Sequence, residues 1–178
     1  MNIGWVLPVV WVALGVVIVT SSLRSRRSRF AYNLGVGAVS ALWVVAGAGA
    51  NTFFLLRGDD YSGFADGAST SFVHETWESL VVPHHGLFIG LLIAFEALAG
   101  IFVVSEGRAR QSALLLLIAF NVLLLSFGWG FLVWTVPMVA ALTLLWRVGL
   151  TSRTEHLVAA RSTTAASRER RAAAEATG

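Results

Sequence analysis

From Ser112 to Trp146 the chain runs for 35 residues without a formal charge. A membrane-spanning helix needs about 20 apolar residues to cross the hydrocarbon core, so this block has the length of two spans and must fold back on itself. The natural division is Ser126-Phe-Gly-Trp-Gly130, where two glycines relax the helix and Trp129 suits the membrane interface. That reading predicts helices near 112–127 and 129–147. Three further apolar stretches, Trp5–Ser22, Leu34–Leu56 and Gly86–Ser105, bring the total to five. The expected fold is therefore all-α, a polytopic membrane bundle over residues 1–150 followed by a tail over 151–178.

Only 13% of the residues are charged, against roughly 25% in ordinary soluble domains, so water is not the main solvent of this chain. All 13 basic residues are arginine, and their distribution predicts the orientation. Arg24, Arg26, Arg27 and Arg29 separate the first two helices, Arg108 and Arg110 the third and fourth, and the rest apart from Arg57 follow the fifth. With five spans these groups share one side, which the positive-inside rule makes the cytoplasm. The N-terminus is then outside and the basic tail inside. Because this bias accounts for the high pI, the expected partner of the arginines is the lipid bilayer and not nucleic acid. No positive charge precedes the first apolar run, so it reads as a retained helix and not a signal peptide. The absence of cysteine excludes thiolate chemistry, disulfides and cysteine-held metal centres.

The long external connection, 57–85, holds Asp59, Asp60, Asp66, Glu75 and Glu78 and three of the four histidines. Within it Thr70 to Leu80 predicts a short amphipathic helix, capped by Ser71 and lying on the membrane surface with Trp77 at the headgroups. His74, Glu78, His84 and His85 contain metal-ligand residue types, with His74 and Glu78 one helical turn apart. They lack any zinc-hydrolase spacing, and metal is not expected. Asp59-Asp60 reads as a pair of solvated loop acids or a catalytic pair.

Within the spans the outstanding residue is Glu96, halfway along the third helix. A carboxylate there costs about 2.5 kcal/mol or more, so it must face the bundle and find a partner. Asn121, at similar depth on the antiparallel fourth helix, is the expected one. His85, Phe88, Leu92 and Glu96 fall on one helical stripe leading inward from the surface. Asn51 ends the small-residue run Ala46-Gly-Ala-Gly-Ala-Asn51 and either caps a close helix contact or reaches the external site. Trp134 is a further candidate lining residue.

The acidic, aromatic external segment, the span carrying Phe95-Glu96-Ala-Leu-Ala-Gly100, the short basic turn and the two closing helices together resemble small membrane proteins of the DoxX type. The resemblance covers roughly residues 35–146; the first helix is additional. It implies an accessory subunit of a membrane redox assembly, with quinone or lipid as the ligand and other membrane subunits or further copies of the chain as partners. A proton- or solute-coupled transporter using Glu96 and a membrane-embedded enzyme acting on lipid or quinone are the alternatives, so whether the chain is itself an enzyme stays open. The all-arginine composition hints at a bacterial source, and hence at a bacterial inner membrane.

Overall fold

The computed structural model describes residues 3–151, with side chains from residue 6 onward. All regular elements among them are helical. Five helices are long and apolar enough to cross a membrane: α1 (Ile3–Arg24), α2 (Arg29–Leu56), α3 (Ser71–Val104), α4 (Arg108–Phe127) and α5 (Trp129–Thr151). The expected tail beyond Thr151 lies outside the described residues.

The boundaries differ from the apolar limits because charge does not end a helix at a membrane surface. α2 begins at Arg29, five residues before the apolar stretch, where Ser28 in extended conformation accepts a hydrogen bond from the Ala31 amide at 3.3 Å. The larger difference is in α3. The predicted surface helix at 70–80 is not a separate element: Thr70, not Ser71, caps it, accepting from Val73 N at 3.3 Å, and the helix continues to Val104. Pro83 does not stop it. A π-helical stretch, Trp77–Val81, and a 3₁₀ turn, Val82–His84, precede His85–Val104, and these changes of winding absorb the missing proline N–H and its ring. At about 1.5 Å per residue the whole helix is about 51 Å long, against about 30 Å for the hydrocarbon core of a bilayer.

The division between α4 and α5 falls at Gly128, with φ +129°, between two 3₁₀ turns, Leu125–Phe127 and Trp129–Phe131. Gly128 also touches the long loop. A Cβ there would overlap the carbonyl oxygen of Gly67. Ser69 ties the same place together, its amide donating to Ser126 O at 2.8 Å and its hydroxyl to Leu125 O at 2.9 Å.

Side-chain burial divides each helix into two apolar faces. On α4, Leu114, Leu117 and Asn121 are fully buried while Leu115, Leu116 and Leu123 are exposed, and on α5 Leu142 and Leu145 are buried while Val133 is 85% exposed. Apolar side chains on both faces suit a helix with protein on one side and lipid on the other. The core runs through Ile18, Val39, Leu42, Val103, Leu114, Leu117, Leu142 and Leu145, joining all five helices.

Close approach of α2 and α3 fixes the middle of the bundle. Gly100 lies where a Cβ would meet Val44 Cγ2 at 2.7 Å and Ser40 O at 3.2 Å, and Gly47 lies where a Cβ would meet the Glu96 carboxyl at 2.9 Å. The small residues between them pack as expected, but in a π-helix, Leu42–Gly49. The indole of Trp11 on α1 donates to the Ala46 carbonyl in this stretch at 2.8 Å. Wider winding leaves carbonyls to be satisfied from outside the helix, and Trp11 does so.

Candidate functional site

Glu96 is only 4% exposed, and Gly47 gives it the room to lie against the α2 backbone. Its partner is Asn51, whose side-chain amide Nδ2 donates to Glu96 Oε2 at 2.8 Å. The expected partner, Asn121, is turned elsewhere. Its Nδ2 donates to Leu117 O on its own helix at 2.8 Å, and its backbone carbonyl accepts from the Thr135 hydroxyl at 3.3 Å. Sequential connection correctly makes α3 and α4 neighbours, but it does not fix their rotation. α4 sends Phe120 to the Glu96 side, stacking against Phe95 and Trp43, each with ring centroids 5.2 Å apart, while Asn121 faces the interior beside α5.

A second residue extends the polar line outward. Tyr61 Oη donates to Asn51, lying 3.1 Å from its backbone oxygen and 3.3 Å from Oδ1. Tyr61 is itself constrained. It is the one described non-glycine residue with positive φ, 59°; its amide donates to Asp59 Oδ1 at 2.8 Å, and its carbonyl accepts from the Trp77 indole at 2.9 Å. A bulky residue in the left-handed region costs about 1–3 kcal/mol and persists only where its surroundings over-determine it. Burial, and then the nearby carboxylate of Asp59, push the Tyr61 phenol above its ordinary range, so it is a neutral donor at physiological pH.

The three residues line a cavity of about 430 Å³, within the range of small-ligand sites. Its walls are aromatic: Trp11, Trp43, Phe64, Trp77, Phe88 and Phe120 are among them. Phe88, Leu92 and Glu96, three of the four stripe residues, line it. His85, the fourth, does not, its Nδ1 lying 2.9 Å from Val82 O. Trp134 lines adjoining grooves instead, packed 4.7 Å from Trp11, which borders both spaces. Phe64, Trp77 and Phe127 cluster at centroid separations of 5.0 to 5.2 Å and are part of the cavity wall.

Several acids and histidines of the 57–85 connection bond the backbone around them. His74 Nδ1 lies 3.1 Å from Ala65 O, and Glu78 accepts from the Gly63 amide at 3.3 Å. With His85 on Val82 O, the residues His74, Glu78, His84 and His85 do not converge, and no group of three His, Cys, Asp or Glu able to hold a metal exists among the described residues. Asp60 accepts from the Ser62 amide at 2.9 Å, and these bonds to Ser62 hold its carboxyl below the usual range.

The residue that sequence reasoning overlooked is Tyr61. A signal was present: it is one of two tyrosines in the chain, and it directly follows Asp59-Asp60 in the loop facing the buried acid. Fold and site together define a protein with five helices of membrane-spanning length and an aromatic cavity whose lining includes a buried, hydrogen-bonded carboxyl. Comparison of the chain with protein families, curated proteins and solved structures finds no match.

Proposed function

We propose that this chain is a multi-pass protein of a bacterial inner membrane that binds a quinone in the Glu96 cavity and serves as an accessory subunit of a membrane redox assembly. The observation that carries the reading is the cavity itself, which combines aromatic walls with a group that can exchange hydrogen bonds. A quinone ring stacks on such walls, and its oxygens need a partner that works in either redox state. Neutral Glu96 supplies one, donating to a quinone carbonyl or accepting from a hydroquinone hydroxyl. An ionised carboxylate would be costly at that depth. The resemblance to DoxX-type proteins supports the same reading, as do described soluble segments too short to hold a catalytic domain.

Tryptophan fluorescence tests it, because Trp11, Trp43 and Trp77 line the cavity. A short-chain quinone added to the protein in detergent should quench this emission saturably, and a saturated hydrocarbon of equal length should not. Linear, non-saturating quenching would remove the quinone reading. The line Tyr61–Asn51–Glu96 favours proton-coupled transport as a second reading. Proton flux in liposomes that Glu96→Gln abolishes, without saturable quenching, would put transport first. Turnover of added lipid or quinone by the isolated chain would establish the enzyme alternative.

The proposed orientation places the N-terminus and the Tyr61 loop outside and the arginine-rich ends inside. Twelve of the thirteen arginines then lie on the cytoplasmic side, which is its support. A reporter fused after Gly178 should be active only in the cytoplasm, and one inserted near Ser69 only outside. The reverse pattern at both positions would invert the topology.

A further inference from the structure

At the end of the bundle opposite the Tyr61 loop, the α1–α2 turn, the α3–α4 turn and the last turns of α5 enclose a second cavity, of about 720 Å³. Arg26, Arg27 and Arg29 line it from the first turn, Arg110 from α4 and Arg147 from α5, with Glu106 the single carboxylate. Positive-inside bias explains why these residues occupy this end. It does not explain why three separated segments bring five arginines and one glutamate to the lining of one cavity.

Part of the wall is held rigid. Arg110 Nε donates to Ser105 O at 2.7 Å and to Val103 O at 3.1 Å, and Nη1 donates to Tyr32 Oη at 3.2 Å, with the guanidinium 5.6 Å from the Tyr32 ring centroid. Tyr32 is confined in turn by α5. Gly149 has no side chain there, and a Cβ would stand 2.8 Å from the tyrosine hydroxyl. The α2 and α4 N-termini, at Arg29 and Arg108, open at the same end and add their partial positive charge. Four exposed arginines surround this fixed Arg110–Tyr32 element.

We infer that this cavity binds a phosphate group, carried either by an anionic lipid headgroup or by a soluble phosphate. Guanidinium forks match phosphate oxygens two at a time, and several of them approaching from different directions suit a tetrahedral anion. A basic pocket between helix ends at the membrane surface is the usual setting for headgroup recognition. The site is independent of the Glu96 cavity and does not rest on the quinone reading.

The test uses the full chain in neutral detergent, with phosphatidylglycerol, phosphatidylcholine and inorganic phosphate as probes, read by native mass spectrometry and by thermal shift. Arg27→Gln combined with Arg147→Gln removes two pocket charges. Arg24→Gln combined with Arg108→Gln removes two charges from the same end that do not line the cavity. The pocket pair should weaken binding of the phosphate ligand by about tenfold or more, and the control pair by less than about twofold. Retention of phosphatidylglycerol over phosphatidylcholine, undisturbed by inorganic phosphate, identifies a lipid headgroup; saturable binding of inorganic phosphate, displacing the lipid, identifies a soluble ligand. Equal losses in both pairs would mean diffuse surface charge and overturn the site, as would no binding of either phosphate probe.

Discussion

Replacing Glu96 by Leu is expected to destabilise the protein by about 1–2 kcal/mol and to abolish saturable quenching by quinone, whereas Glu96→Gln should change stability by less than about 0.5 kcal/mol. Leu removes the acceptor of the Asn51 amide and strands a donor that is partly buried between α2 and α3. Gln keeps an oxygen at the same place, so the Asn51 bond survives; what it lacks is the exchangeable carboxyl proton. The double replacement Glu96→Leu with Asn51→Leu should recover part of the loss, because neither polar group is then left alone. Glu96→Leu with Asn121→Leu should instead be additive, since Asn121 bonds its own helix. The measurement is a double-mutant cycle on unfolding in detergent. Coupling to Asn121 and none to Asn51 would refute this geometry, and a Gln variant as unstable as the Leu variant would mean that Glu96 is held ionised.

That contrast between two asparagines marks what the sequence carried and what it did not. Length and charge were enough for the five helices, because a 35-residue uncharged block and the spacing of the arginines are properties of the chain in any rotation of its helices. The turn at Gly128 was legible for the same reason, as was the burial of Glu96: both follow from local chemistry and the membrane's cost for charge. Partner choice is different, for it depends on which face each helix turns to its neighbour. One residue rotates that face by about 100°, and the π-helical stretch Leu42–Gly49 changes the phase of α2 just before Asn51. Periodicity counted with a uniform helical repeat could not register that change. The merging of the 70–80 segment into α3 has a related cause. Pro83 reads as a boundary in regular helix, and irregular winding from Trp77 to His84 lets the chain pass it. Tyr61 was hidden further still, since a positive φ held by Asp59, Asn51 and Trp77 is the product of tertiary contacts.

The π-helical stretch also has a functional consequence. It opens the Ala46 carbonyl to the Trp11 indole and sets Gly47 under the Glu96 carboxyl, so α1, α2 and α3 meet beside Glu96. Local departures from regular winding recur at functional sites because they aim groups that a uniform helix cannot. In this protein the departure and the buried acid lie against each other, which ties the shape of the cavity to the same residues that set its chemistry.

Gly128→Ala should be the most damaging single methyl addition in the described chain, costing about 3 kcal/mol or more and opening the cavity. Two independent penalties act on the same Cβ. A φ of +129° is hostile to any L side chain, and the added atom would occupy the position of the Gly67 carbonyl oxygen. A terminal side-chain atom could move aside at little cost, but this obstacle is backbone. It is held by Ser69, bonded through N and Oγ to Ser126 O and Leu125 O. Relief therefore requires the loop to lift from the α4–α5 turn, which separates Phe64 from Phe127 and loosens Trp77 over Tyr61. The quenching assay should then lose saturation together with the fall in melting temperature. Gly130→Ala is the internal control, two residues away, with no atom within 4 Å of its added Cβ and no positive φ. It should be neutral or slightly stabilising, because alanine is the better helix residue by about 0.5–1 kcal/mol. Similar melting temperatures for the two variants would show that the loop does not clamp this turn, and retained saturable quenching in Gly128→Ala would show that the Phe64–Phe127 contact is not needed to form the cavity.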